Sequence, residues 1–191
     1  MDDTVLRAAL TALIDGPRHT VSDAPAEVPS VAGLYAIFGD EHALASLAVG
    51  PDTRPLYVGK AEHSLVGRDL RTHFATGKTG SSTLRRTIAA LLRDNLDLKA
   101  VPRNLARPDG SANYSVEVTG DERLTAWMHA HLRLAVWPKP QGVLLDEVET
   151  AVLNHLRPPL NLAKMGPRAD RRVKEARAAM AAEARAWRQV D

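Results

Sequence analysis

The stretch Pro55–Phe74, PLYVGKAEHSLVGRDLRTHF, gathers Tyr57, Lys60, Arg68 and His73 around one Gly-Lys turn. Tyr35, in GLY, precedes it, and Glu149 and Asn161, in ETAVLNHLRPPLN, come much later. Cleavage of a phosphodiester would use such side chains. The reaction needs an activated nucleophile, a sink for the charge that builds on the phosphorus-bound oxygens, and help for the leaving oxygen. Arg68 offers a permanently charged planar fork for non-bridging oxygens, and Lys60 adds a point charge. A single carboxylate such as Glu149 can bind one Mg²⁺ or Mn²⁺, because hard cations keep several waters and use few protein ligands. Glu147 is its rival, and residues two apart point about 200° apart around a helix, so only one of them can face a given pocket. A tyrosine is a harder base to make: bringing its reference pKa of about 10 toward 7 takes roughly 4 kcal/mol. One cation does not supply that easily, whereas Lys60, Arg68 and a metal ion together could.

The elements that must position these groups follow from periodicity. TVLRAALTALI spaces Val5, Leu6, Leu10 and Leu13 as one helical stripe and predicts a docking helix, followed by a Pro- and Asp-rich linker. VAGLYAIFG predicts a strand over 31–38, and PLYVG a second strand ending at Gly59, with antiparallel pairing favoured by the turn residues between them. Leu65, Leu70 and Phe74 mark a helix. Another begins at TGSSTLRRTIAALL, with Ser81, Ser82 or Thr83 as its N-cap and Leu84, Ile88, Leu91 and Leu92 facing the core. VPRNLARPDGSAN reads as loop, YSVEV as an edge strand, DERLTAWMHAH as helix and LRLAVWP as a strand stopped by Pro138. LLDEVETAVLNHL is a strongly patterned helix ended by RPP, and residues 169–187 form a long basic helix. Trp127 and Trp137 read as core. The predicted class is α+β, a small and mostly antiparallel sheet flanked by helices with a long C-terminal helix. Its organisation reads as an N-terminal helix and linker over 1–30, a central domain over 31–162 and the basic helix over 163–191.

Charge and composition limit the chemistry. The net charge of +2 conceals segments of −6 over 1–53, +7 over 54–107, −3 over 108–163 and +4 over 164–191. Basic stretches of this kind are the footprint of a phosphate-rich partner, and they nominate Arg71, Lys78, Arg85, Arg86, Arg171 and Arg172 as nucleic-acid contacts. There are no cysteines, which excludes disulfides and thiol nucleophiles and suits a reducing, cytoplasmic setting. The acidic, charge-broken N-terminus does not read as a signal peptide, and no apolar run approaches a bilayer span. GKT in FATGKTGSS is not a P-loop, since Thr72 stands where the required glycine would be and a helix, not a strand, precedes it. The histidines show no zinc-binding spacing.

Taken in order, GLY at 33–35, YVG at 57–59, the arginine- and histidine-bearing helix, and the glutamate helix closing on Pro and Asn resemble the GIY-YIG nuclease family, over residues 31–162. The resemblance implies a metal-dependent endonuclease acting on DNA. RNA and a non-cutting or partner-dependent binding module stand as alternatives, and a homodimer is left open. It implies that a motif tyrosine activates the attacking water, Tyr35 with Tyr57 in support, and the family distance to Asn161 selects Glu149 over Glu147 as ligand of one Mg²⁺ or Mn²⁺. Asn161 is expected to tie down backbone. The family commonly places its histidine four residues after the arginine, whereas Arg68 and His73 are five apart, about 140° out of line on an ideal α-helix. Three readings stay open: an irregular helix after Gly67, Arg71 in the role of Arg68, or a His73 outside the chemistry.

Overall fold

A computed structural model describes residues 2–51, 54–105 and 113–188, and leaves out the side chains of residues 68–70. The reading of 106–112 as loop and those of the Arg68 and Leu70 side chains therefore lie outside the described residues.

The chain order is α1 (Asp3–Ile14), α2 (Ala24–Glu27), β1 (Gly33–Gly39), α3 (Glu41–Ser46), β2 (Tyr57–Ala61), α4 (Leu65–Arg68), a π-helical turn (Asp69–His73), α5 (Thr83–Leu91), β3 (Ala100–Pro102), β4 (Tyr114–Val116), α6 (Val118–His131), β5 (Leu132–Pro138), α7 (Leu145–Leu156), a short 3₁₀ turn (Gly166–Arg168) and α8 (Arg171–Ala186). The protein is α+β, with an antiparallel three-stranded sheet in the order β2-β1-β5 flanked by helices. β3 and β4 make a separate antiparallel pair. Part of the VPRN stretch expected to be loop is thus strand, because Ala100–Pro102 finds its partner fourteen residues on, across a gap that local pattern does not bridge.

β1 is the central strand and is buried on both faces from Gly33 to Phe38. Side chains of a strand alternate between faces, and that alternation divides the core. Tyr35 and Ile37 enter a cluster with Leu84, Ile88, Leu124, Met128, Val173 and Met180, contributed by α5, α6 and α8. Leu34, Ala36 and Phe38 enter a second cluster with Leu13, Val148, Val152 and Leu156, contributed by α1 and α7. Tyr35 and Tyr57 face the first group of helices, whereas Lys60 lies on the other face of β2 and reaches α7, the helix of the second group that carries Glu149. Trp127 and Trp137 are buried as expected.

Local chemistry sets several element ends. Asp2 caps α1 by accepting from the Thr4 N–H at 2.8 Å, and Ser82 caps α5 by accepting from the Arg85 N–H at 3.1 Å. The spacing of Arg68 and His73 is accounted for by the π turn: its i→i+5 bonding closes one turn over five residues, so an extra residue is accommodated without breaking the helix.

β2 is an edge strand, and an edge presents unpaired backbone groups. Asn161 covers it. Its Oδ1 accepts from the Val58 N–H at 2.9 Å and its Nδ2 donates to the Val58 carbonyl at 2.8 Å. The Leu160 N–H reaches the Leu56 carbonyl at 2.9 Å. The side chain of one asparagine thus substitutes for a residue of a neighbouring strand. Asn161→Ala leaves both backbone groups of fully buried Val58 unpaired and is expected to lower unfolding free energy by about 2–3 kcal/mol in urea denaturation; a change below about 0.5 kcal/mol would show that the clamp contributes nothing.

Candidate active site

A cleft of about 590 Å³ opens beside β2 and is lined by Tyr35, Tyr57, Gly59, Lys60, Glu62, His63, Ser64, Gly67 and Glu149. Four of the seven predicted site residues, Tyr35, Tyr57, Lys60 and Glu149, therefore share one space. His73 stands directly behind it, its Nε2 2.6 Å from the Tyr35 hydroxyl. Asn161 stays at the strand edge, on backbone.

The sheet register explains how the tyrosine enters the cleft. Tyr35 pairs across the sheet with Gly59, and a Cβ built on Gly59 would overlap the Tyr35 hydroxyl. The glycine of YVG is thus the space in which the phenol lies. Tyr57 stacks alongside, ring centres 6.2 Å apart. Behind Tyr35 the histidine ring is fully buried, and its Nδ1 lies 2.7 Å from the Ser82 hydroxyl. One contiguous chain of hydrogen-bonding groups runs from the cap of α5 through His73 to a phenol at the cleft wall.

That chain is held by a charge pair. The guanidinium of Arg85 is buried and lies 2.9 Å from Asp121 of α6. It also donates to the His73 carbonyl at 3.2 Å, to Thr79 Oγ1 at 3.0 Å and to Thr125 Oγ1 at 2.8 Å. Asp121 accepts in addition from the Gly77 N–H and the Thr79 hydroxyl. Burial pulls the Arg85 pKa down and Asp121 opposes that shift. Arg86 is buried as well, with its Nη1 2.7 Å from the Gly80 carbonyl, and burial lowers its pKa to about 10. The expectation that Arg85 and Arg86 meet nucleic acid is therefore corrected: both are spent inside the fold, where they fix the segment between the π turn and α5. Arg172 also turns inward, donating to the Leu47 carbonyl at 2.6 Å. Arg71, Lys78 and Arg171 stand on the surface, and Arg171 pairs there with Glu175 at 2.6 Å.

At the other wall, α7 places Asp146 and Glu149 three residues apart on one face, whereas Glu147 lines a separate surface pocket with Asp2 and Val5. Lys164, which sequence reading missed, bridges the pair: its ammonium donates to Asp146 Oδ1 at 2.7 Å and to Glu149 Oε2 at 2.7 Å. Lys60 donates to the same Asp146 oxygen at 2.8 Å and pairs with Glu62 at 2.7 Å. Hydrogen bonds from Lys164 and then Lys60 hold Asp146 at about 2, below the ordinary carboxylate range. The Lys60 pKa rises through its bonds to Asp146 and Glu62. For Lys164 burial acts downward, but the bonds to Asp146 and Glu149 outweigh it and the pKa rises. The signal that could have found Asp146 was its i, i+3 relation to Glu149; Lys164 had none beyond its place three residues after Asn161.

A family model described as the GIY-YIG catalytic domain matches residues 36–179. The chain belongs to the GIY-YIG family. No curated protein and no solved structure matches it. The GIY-YIG match starts at the residue after Tyr35 and extends into α8, and it points to nuclease chemistry on a nucleic acid. Among the described residues no helix is long and apolar enough to cross a membrane.

GIY-YIG nucleases typically use divalent metal ions. Among the described residues no group of three His, Cys, Asp or Glu side chains could hold a metal. The donor set still suits a hard cation, because Glu149 and Glu62 both line the cleft, and Mg²⁺ is commonly bound through one or two carboxylates, with waters and substrate phosphate completing its shell.

Since the Tyr35 hydroxyl occupies the volume a Cβ would need, Gly59→Ala is expected to cost about 1–3 kcal/mol through overpacking. Urea unfolding measures this, and an unchanged midpoint would contradict the cross-strand contact.

Proposed function

We propose that the protein is a metal-dependent endonuclease that hydrolyses phosphodiester bonds in DNA. The observation that carries the reading is the Tyr35–His73–Ser82 chain ending at a cleft wall opposite Glu149. Tyr35 accepts a proton from the attacking water as its own proton passes to His73 Nε2, so no standing phenolate is needed and the roughly 4 kcal/mol of making one at neutral pH is avoided. Ser82 fixes the imidazole ring, whose tautomer follows from the sharing of protons with its two oxygen partners. Tyr57 packs against Tyr35 and keeps that edge of the cleft dry. Lys60, and Arg68 from the end of α4, stabilise the charge on the non-bridging phosphate oxygens. Glu149 would hold Mg²⁺ or Mn²⁺, which supplies Lewis-acid polarisation of the phosphate and of the leaving oxygen. Arg71, Lys78 and the basic face of α8 carry the strand on either side through counterion-releasing phosphate contacts.

The test is nicking of supercoiled plasmid with Mg²⁺, Mn²⁺ or EDTA, with an RNA of mixed sequence as the competing substrate. Wild type is expected to nick DNA only with the metal ion, and Glu149→Gln to lose at least about a hundredfold in rate with DNA affinity retained. Equal cleavage by the variant contradicts the role given to Glu149; retained DNA binding without cleavage by wild type favours a non-cutting module.

A further inference from the structure

Lys164 stands in an unusual place. Its backbone has φ +62, the left-handed region that disfavours side-chain-bearing residues and that is tolerated where the surrounding structure requires it. From that position its ammonium makes three short side-chain contacts, with Asp146 Oδ1 and Glu149 Oε2 both at 2.7 Å and Thr150 Oγ1 at 3.1 Å. A lysine ammonium has three donors and no acceptor, so three oxygen ligands satisfy it. It is a compact cation held by hard oxygens on the carboxylate that the proposed reaction assigns to a metal ion.

Resting on that reading, we propose that Lys164 is the resident cation of the free site: its ammonium fills the place on Glu149 that a divalent hard cation takes, and ion binding requires its withdrawal. The geometry permits the exchange. The same ammonium already holds Asp146 Oδ1, which Lys60 also holds at 2.8 Å, so Lys164 can release Glu149 to the incoming ion and stay on Asp146. The four-carbon stem and freely turning ammonium suit that movement, where an arginine fork would not. The consequence is that the free protein binds the ion weakly, since the incoming charge must displace another. Lys60 and Lys164 thereby offset two of the three negative charges of Glu62, Asp146 and Glu149 until substrate and ion arrive.

The test uses the full chain without nucleic acid and Mn²⁺ alone as the probe, with free Mn²⁺ read by electron paramagnetic resonance. Lys164→Met removes the charge and keeps most of the stem; Lys164→Gly removes the side chain and suits the left-handed backbone, so it is expected to stay folded even where Lys164→Met does not. Each is expected to tighten Mn²⁺ binding at least about tenfold, and the gain is expected to vanish when Glu149→Gln is added. Unchanged or weaker Glu149-dependent binding in the folded Lys164 variants would overturn the resident-cation proposal and leave the metal-site reading standing. Binding insensitive to Glu149→Gln in every background would overturn both.

Discussion

The Arg85–Asp121 pair is the interaction on which the rest of the site depends. Two opposite charges are taken out of water between α5 and α6, and breaking such a pair by truncating one partner costs about 3–5 kcal/mol because the other charge is left stranded. Here the desolvation is offset by nearly complete hydrogen bonding: Thr79, Thr125, the His73 carbonyl and the Gly77 N–H all converge on the two side chains. The pair therefore does more than join two helices. It fixes the irregular chain between the π turn and α5, and that chain delivers both the histidine ring and the serine that orients it. A phenol on β1 then finds a buried partner at 2.6 Å, and its place over Gly59 is set by strand register.

A second constraint places the opposite wall. α7 belongs to the core on the far side of the sheet from Tyr35, so the two walls of the cleft meet only around the free edge of β2. Asn161 and Leu160 cover that edge at Leu56 and Val58. Immediately beyond, Gly59 and Lys60 line the cleft. The edge that would be a liability for aggregation is thus divided, one part clamped by the chain that leaves α7 and the next part given over to the site. Lys60 and Lys164 link the walls through a shared Asp146 oxygen.

Legibility in the sequence followed the range of the interactions. The central strands showed because apolar, β-branched and aromatic residues bounded by glycines read locally, and the glutamate helix because Leu145, Val148, Val152 and Leu156 repeat at helical spacing. Tyr35, Tyr57, Lys60 and Glu149 could be named because each lies in or beside such an element, in stretches that resemble the GIY-YIG motifs. The five-residue step from Arg68 to His73 was visible as an irregularity, but a π turn has no distinct pattern of its own. Arg85 and Arg86 were misread as surface because charge is visible in a sequence and burial is not. The partner that takes Arg85 inside is 36 residues away. Lys164 was missed for a related reason: a lone lysine in a loop has no periodicity, and its left-handed backbone shows only in three dimensions.

The proposed role of Tyr35, as the group that receives the water's proton, is the centre of the proposed mechanism, and a single-turnover comparison of wild type with Tyr35→Phe on supercoiled DNA at saturating Mg²⁺ tests it most directly. The phenyl ring keeps the packing over Gly59 and removes only the hydroxyl. A loss of at least about a hundredfold in the cleavage rate, with DNA affinity and fold unchanged, is expected from removing a positioned general base. A Tyr35→Phe protein that cleaves at the wild-type rate would contradict the mechanism and move the search for the base to another residue of the cleft.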